Sequence, residues 1–559
     1  MLVLILTLCV IYIVSVDISH VVSMNWIWLD SQHIIGSEFW PFSNPDRILH
    51  ALAGRDRIGY GLFYHILTSI IGVNDHYGVL WQYGWNYIFH LANCVLVGLV
   101  VWNLTKNSIA SLGATLISLI QSSGPEVFLN VTKNEHFGVF WILVGLAAVT
   151  SHKEYCVGEA SLRVYVINFT VFATTVLGIG LLGKEPLVFH VIGIIIIDLM
   201  EPARRVVVRS INTRLSRLSV SLIVGIIGYS VYRYYIGISS PLNGSYSGGL
   251  IYAGSFRQVL TSIYNYSNHS SDVIIVVLAA FALQGILSRR TLVSARRVAP
   301  GFDVSIRGVA LGSLLFLVFH FLFVKSNQVY YLYPAGVLSA VPLVAGLYEC
   351  GRCLQRRLSV VEIVPLVAGA ILSVYVVVFA VNRWGVRSDA ITFIGKGTHD
   401  IFQVLREAPE HTTVGLPFSP GDERLRNIPL MMKVLYKRED ILYKNVQIGS
   451  SKFLDECVVD WLVAPLFDEQ VWSLGERDVA SWAPRWIDRA VFDRLESGGW
   501  NSSEVIKSRE DYDIVVSLVP SLVDLLLHGQ WQSKVSLQIS WVIVKFKSDA
   551  ERLNAVVCY

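Results

Sequence analysis

Charge is what this sequence has least of. Only 16% of its 559 residues are Asp, Glu, Lys or Arg, against about 25% in soluble domains, while 53% are apolar and the mean hydropathy is +0.53. An ordinary water-soluble chain is excluded. Net charge is only +3, which removes the basic surface that nucleic-acid binding requires. Cysteine is sparse too, and the seven present do not form a disulfide framework. The familiar catalytic signatures are missing from the carboxy-terminal part: it has no glycine-rich phosphate loop, no Gly-x-Ser-x-Gly and no His-x-x-x-His. Neither an internal repeat nor a low-complexity tract is visible.

What the chain has in abundance is long apolar runs. A helix needs roughly 20 apolar residues to cross a bilayer, fewer where flanking polar groups snorkel. Eleven runs qualify as expected spans: 2–18, 79–102, 107–123, 136–151, 164–182, 186–200, 218–237, 272–288, 308–325, 333–350 and 361–382. The polar turn Gly183-Lys184-Glu185-Pro186 separates the fifth from the sixth; the alternative is one kinked span there. No Lys or Arg precedes the first run, which reads as a retained anchor rather than a removed signal peptide.

Arginine sets the orientation. Three short connections carry thirteen: Arg204, Arg205, Arg209, Arg214 and Arg217; Arg289, Arg290, Arg296, Arg297 and Arg307; Arg352, Arg356 and Arg357. Basic residues next to membrane helices stay in the cytoplasm, so these loops face inside with two spans between each and the next. With the amino terminus also inside, the outer segments are 19–78, 124–135, 183–185, 238–271, 326–332 and everything after Asn382. Cys156, Cys350 and Cys353 then lie near the reducing cytoplasmic face, and the Cys350-Gly-Arg-Cys353 spacing has no second pair or nearby His to make it a metal site. Cys457 and Cys558 alone share the outer compartment, where they could pair.

Two regions follow: a membrane body over 1–382 and an extracytoplasmic soluble domain over 383–559, expected to be α/β or α+β. The second has strand-like runs at Thr413–Leu416, Val458–Val463, Ile514–Leu518 and Val535–Phe546, between helical stretches at His399–Glu407 and Trp486–Leu495. It reads as a cap on the membrane body or as a holder of an acceptor.

The first outer loop, 19–78, is too long for a simple connection and too polar to cross. Trp26, Trp28, Phe39, Trp40 and Phe42 suit the interface, residues 58–71 form a potential surface helix, and Asp30, Asp46, Arg47, Arg55, Asp56 and Arg57 supply charge. In the second span Asn86, His90 and Asn93 fall on one helical face, where polar groups are costly unless paired or lining a cavity. A buried His in a bundle is more often a hydrogen-bonded packing residue than a catalyst. Glu185 and Pro186 suit the first turn of the sixth span, which by itself is a cap. The Lys184–Glu185 pair should lie level with Asp30, Arg55, Arg57, Glu126, Lys133 and Glu135, so an outer site with both signs of charge is expected.

This arrangement resembles the C-type (GT-C) glycosyltransferase superfamily, closest to its protein O-mannosyltransferase-like and bacterial lipid-A aminoarabinose transferase-like branches. The likeness rests on Trp28-Leu29-Asp30, Gly54-Arg55-Asp56-Arg57 before Phe63-Tyr64-His65, His90-Leu91-Ala92-Asn93, Gly183-Lys184-Glu185-Pro186 and Val329-Tyr330-Tyr331-Leu332-Tyr333-Pro334. It covers roughly residues 1–382. Many relatives carry a second acid after the first; here that position is Ser31.

The resemblance implies a GT-C-like body of about eleven transmembrane helices. Its implied activity is transfer of a sugar from a polyprenyl-phosphate-linked donor to a glycan, lipid or protein hydroxyl outside the cytoplasm. Asp30 is the expected base, Arg55, Arg57 and Lys184 the cations on the donor phosphate, and Glu185, Glu135, His90 and Tyr331 supporting groups. Asp30, Glu135 and Glu185 are also oxygen donors for a divalent cation, although no spacing demands one. A bacterial inner membrane is the expected location. The alternative is a transporter or flippase of a lipid-linked substrate, which should show paired halves and broken helices near the midplane.

Overall fold

The protein is described by a computed structural model for residues 1–23, 76–129, 135–151, 162–181, 185–200, 219–231, 256–293, 300–323, 329–354, 360–416, 424–447, 459–467, 504–508, 514–518, 533–537, 539–545 and 557–558. It is a polytopic α-helical membrane protein with a small carboxy-terminal α/β unit. Its helices are α1 (Leu2–Ser23), α2 (His76–Thr105), α3 (Ser108–Leu119), α4 (Gly124–Phe128), α5 (Glu135–Ser151), α6 (Leu162–Val176), α7 (Val188–Met200) and α8 (Ser219–Val231). There follow α9 (Phe256–Val293), α10 (Pro300–Phe323), α11 (Tyr333–Leu354) and α12 (Val360–Arg406).

Among the described residues each of the eleven apolar runs overlaps a helix. Among the described residues six helices are long and apolar enough to cross a membrane, and four apolar helices of 10–17 residues accompany them. The fifth and sixth runs are separate helices, α6 and α7. Between them the backbone passes through a π turn at Leu177–Leu181 and a 3-10 turn at Glu185–Leu187, in a stretch holding Gly178, Gly180 and Pro186. Glycine loosens the helix there, and Pro186 lacks the N–H that would continue it backwards.

Helix α2 packs against α3, α5 and α11, while α1 lies outside against α3 and α12. The sequence of α1 explains its place. Ile13, Asp17 and Val21 recur every fourth residue and are buried, whereas Leu4, Leu8, Ile11 and Tyr12 are exposed on an apolar outer surface suited to lipid.

Helix α12 has 47 residues, roughly 70 Å at 1.5 Å per residue, more than twice the roughly 30 Å of a hydrocarbon core. It runs unbroken past Asn382, so its second half leaves the bilayer and carries the chain into the α/β unit. The helical stretch expected at His399–Glu407 is the end of this same helix.

The α/β unit contains a six-stranded sheet. Its strands are β1 (Thr413–Leu416), β2 (Leu442–Gln447), β3 (Trp461–Phe467), β4 (Glu504–Ser508), β7 (Ile539–Lys545) and β8 (Val557–Cys558), in the order β4-β7-β3-β1-β2-β8. β1 is parallel to β2 and β3, and the other pairings are antiparallel. Parallel neighbours need a crossover, which α13 (Arg424–Tyr436) supplies between β1 and β2. Strands β5 (Ile514–Leu518) and β6 (Ser533–Leu537) pair separately. The run expected over Val535–Phe546 is thus two strands in different sheets. The Trp486–Leu495 helix and Cys457 lie outside the described residues.

Arg438 joins this unit to the membrane body. It donates to the carbonyls of Arg406 and Pro409 at the end of α12, and grips Asp440 through Nε at 2.8 Å and Nη2 at 2.7 Å. The guanidinium holds the Asp440 carboxyl well below the ordinary carboxylate range. A carboxyl depressed on folding stabilises above its unfolded pKa, and that contribution fades as pH falls toward the folded value. Asp440→Asn should therefore lower stability at neutral pH by less than about 1 kcal/mol for this partly exposed surface pair, seen as a slightly lower thermal midpoint. The gap from wild type should shrink once pH drops below the ordinary carboxylate range.

Candidate functional site

At one end of the bundle, segments far apart in sequence converge on buried polar side chains. Glu126 lies on α4, a short helix begun by Gly124-Pro125, and is 2% exposed. One of its carboxylate oxygens accepts the Tyr330 backbone N–H at 3.0 Å; the other stands 3.5 Å from Arg387 Nε. Arg387, on α12, also donates to the Ser122 carbonyl. Ser122 in turn gives its backbone N–H and its hydroxyl to the two oxygens of Asp272, at 2.9 and 2.6 Å. Helix α9 is kinked at Ser270, so Asp272 stands at the start of the helical half that follows, where the macrodipole favours a carboxylate.

The same end is pinned by α1. Asp17 accepts the Trp384 indole N–H at 3.1 Å, and His20 lies 3.7 Å from Asp389 and 3.3 Å from the Thr392 hydroxyl. From Val360 to Arg387 is roughly 40 Å of helix, enough to span the hydrocarbon core. Residues from 19–78, 124–135, 326–332 and the stretch after Asn382 thus meet at one end of the bundle. These are four of the six segments that the arginine distribution assigns to a common side.

Beside this cluster runs a neutral network. Tyr333, the first residue of α11, takes an N–H from Asn93 Nδ2 at 3.1 Å and lies 3.0 Å from His90 Nδ1. With its oxygen accepting from Asn93, the tyrosine hydroxyl is free to donate to His90 Nδ1, whose other ring nitrogen, Nε2, stands 3.9 Å from Cys94 Sγ. The His90 ring stacks on Phe128 at 5.0 Å and lies against Gly124, where an added Cβ would stand 3.4 Å from it. His90 is a packing residue that ties α2 to α4 and α11. Asn93 Nδ2 also donates to the His136 carbonyl at 2.9 Å, which brings in the first turn of α5. The turn Val329–Leu332 joins the two halves, since Tyr330 meets Glu126 and Tyr333 meets His90.

Of the residues singled out from sequence, His90 and Glu135 come together here. Glu135 is 1% exposed and within electrostatic reach of the Tyr333 hydroxyl. Tyr331 packs on Tyr330 at 4.3 Å and on His320 at 5.7 Å, away from His90. Glu185 begins the 3-10 turn that leads into α7, and its side chain is not described. Asp30, Arg55, Arg57 and Lys184 lie outside the described residues, as does 58–71. Among the described residues no three His, Cys, Asp or Glu side chains are grouped to hold a metal ion. No family model matches the sequence, and no curated protein is similar to it.

Sequence reasoning missed Arg387, Asp272, Ser122 and Asp17. Arg387 was hidden by its position beyond the last apolar run, in what reads as the soluble part. A signal was present: Ala380, Trp384, Arg387, Ser388 and Ile391 recur at helical spacing, and all five are buried.

Proposed function

We propose that the protein is a membrane glycosyltransferase that moves a sugar from a polyprenyl-phosphate-linked donor to an acceptor hydroxyl on the non-cytoplasmic side. The observation that carries this reading is the convergence of helix ends from distant parts of the chain on Glu126, Arg387, Asp272 and the His90–Tyr333–Asn93 network. Buried ionisable groups at one end of a bundle are costly and are kept where chemistry or a ligand needs them. In this reading Asp30, in the first outer loop, acts as base in a GT-C-like body of eleven spans.

The acceptor hydroxyl loses its proton to Asp30 as it attacks the anomeric carbon, and the donor phosphate departs. Arg55, Arg57 and Lys184 stabilise the charge that develops on that phosphate more than the ground-state charge. Glu185, Glu135, His90 and Tyr331 fix these groups or line the donor path. A bacterial inner membrane suits such a reaction. The α/β unit, carried on α12, presents the glycan, lipid or protein acceptor.

The π turn at Leu177–Leu181, the 3-10 turn at Glu185–Leu187 and the kink at Ser270 favour a second reading, a transporter or flippase, because broken helices also build transport sites. The two separate in one assay. Wild-type protein with donor and acceptor should release polyprenyl phosphate, and Asp30→Asn should slow release by about 10²–10⁴-fold, the usual worth of a general base, at unchanged expression. Full turnover in that variant removes Asp30 from the mechanism. Lipid movement across proteoliposomes without sugar transfer establishes the second reading.

A further inference from the structure

His136 does nothing in the packing that its polarity requires. It is 0% exposed, and neither ring nitrogen has a hydrogen-bond partner. Its neighbours are the Phe89 ring at 6.2 Å and the Phe137 ring at 4.3 Å. Only its backbone is used, the carbonyl accepting from Asn93 Nδ2. That bond also fixes the orientation of the Asn93 amide, since a carbonyl takes only a donor, and so leaves Asn93 Oδ1 as a second buried polar atom without a partner. A buried donor or acceptor left unmade costs about 1–3 kcal/mol, and here that cost falls on the side chains of two residues linked by the bond from the Asn93 amide to the His136 backbone carbonyl.

We propose that His136 and the Asn93 amide oxygen hold a hydroxyl of the transferred sugar. This rests on the glycosyl-transfer reading and names the part of the site that recognises the sugar. A neutral imidazole offers one donor and one acceptor, and Asn93 adds a second acceptor, which matches hydroxyl groups that both give and take hydrogen bonds.

The test compares binding of undecaprenyl phosphate with that of undecaprenyl-phosphate hexoses, glucose, mannose and galactose, to the full chain in detergent. Wild type should prefer at least one sugar-linked lipid to the bare one. His136→Phe should weaken that lipid by about tenfold or more, equivalent to about 1.4 kcal/mol, and leave bare undecaprenyl phosphate unchanged. Its thermal midpoint should stay the same or rise, because an unmade polar group is replaced by a ring of similar shape. His136→Gln, which still donates and accepts, should recover part of the preference. Unchanged sugar-lipid binding in His136→Phe overturns the assignment, as does an equal loss of both lipids with a lowered midpoint in both variants. A wild type that binds both lipids equally overturns it while the transferase reading stands; one that binds neither removes both.

Discussion

Replacing Arg387 by methionine is expected to destabilise the bundle by about 3–5 kcal/mol, the cost of leaving one member of a buried ion pair without its partner. The side chains of Arg387 and Glu126 are 9% and 2% exposed, so water cannot solvate the carboxylate that remains. The Ser122 carbonyl loses its guanidinium donor at the same time, and Ser122 is the residue through which Asp272 is held. Three helices, α4, α9 and α12, are therefore loosened by one substitution. The cause is charge rather than volume, because methionine fills much of the space of the arginine stem. Removing the remaining carboxylate charge as well, in Glu126→Gln with Arg387→Met, should recover a large part of the loss. The measurement is the unfolding midpoint of purified protein in detergent for the two single variants and the pair. If the double variant is as unstable as the sum of the singles, the pair is not coupled and Arg387 acts by packing alone.

The membrane body was legible in the sequence because its physics is local. Each apolar run is long enough to report its own helix, and the arginines sort the helix ends into two groups, one of which the contacts of Glu126, Tyr330 and Arg387 bring together. The strands at Thr413–Leu416 and Ile514–Leu518 were equally plain from their β-branched and apolar composition. Less legible was where α12 stops being a membrane helix. Composition changes at Asn382, but the hydrogen-bonded backbone does not register composition, and the helix continues until Arg406. The site suffered from the same limit. His90, Asn93 and Glu135 were visible because polar residues stand out in an apolar run, whereas Arg387 sat among other charges and only its helical spacing from Trp384 and Ile391 marked it as buried. No local pattern could pair Ser122 with Asp272 across 150 residues.

Gly312→Leu should prevent the bundle from folding, and Gly312→Ala should cost about 1–3 kcal/mol or more, the range for overpacking a close contact. Helices α7 and α10 cross backbone to backbone at three glycines. A Cβ on Gly312 would lie 2.4 Å from the Cα of His190, one on Gly308 2.4 Å from the Cα of Ile194, and one on Gly193 2.3 Å from the carbonyl oxygen of Gly308. Gly308 and Gly312 form the Gly-x-x-x-Gly spacing that lets membrane helices approach closely, where van der Waals packing rather than a hydrophobic drive holds them together. His190 Nε2 and the Ser313 hydroxyl add a contact at 3.2 Å that exists only at this separation. Because the obstructing atoms are backbone, no rotamer change can absorb the methyl group, and the two helices must separate along their whole contact. Gly336 is the instructive contrast: a Cβ there would meet Gln121 Oε1 at 2.4 Å, but that atom ends a flexible side chain that can move aside. Gly113, with nothing within 4 Å of an added Cβ, is the control; its change to Ala should be neutral or stabilising by up to about 1 kcal/mol through helix propensity. Detergent-solubilised variants compared by the fraction eluting as folded monodisperse protein and by unfolding midpoint should rank Gly113→Ala above Gly336→Ala, and both above Gly308→Ala and Gly312→Ala. Equal midpoints for Gly113→Ala and Gly312→Ala would mean that α7 and α10 do not touch through their backbones.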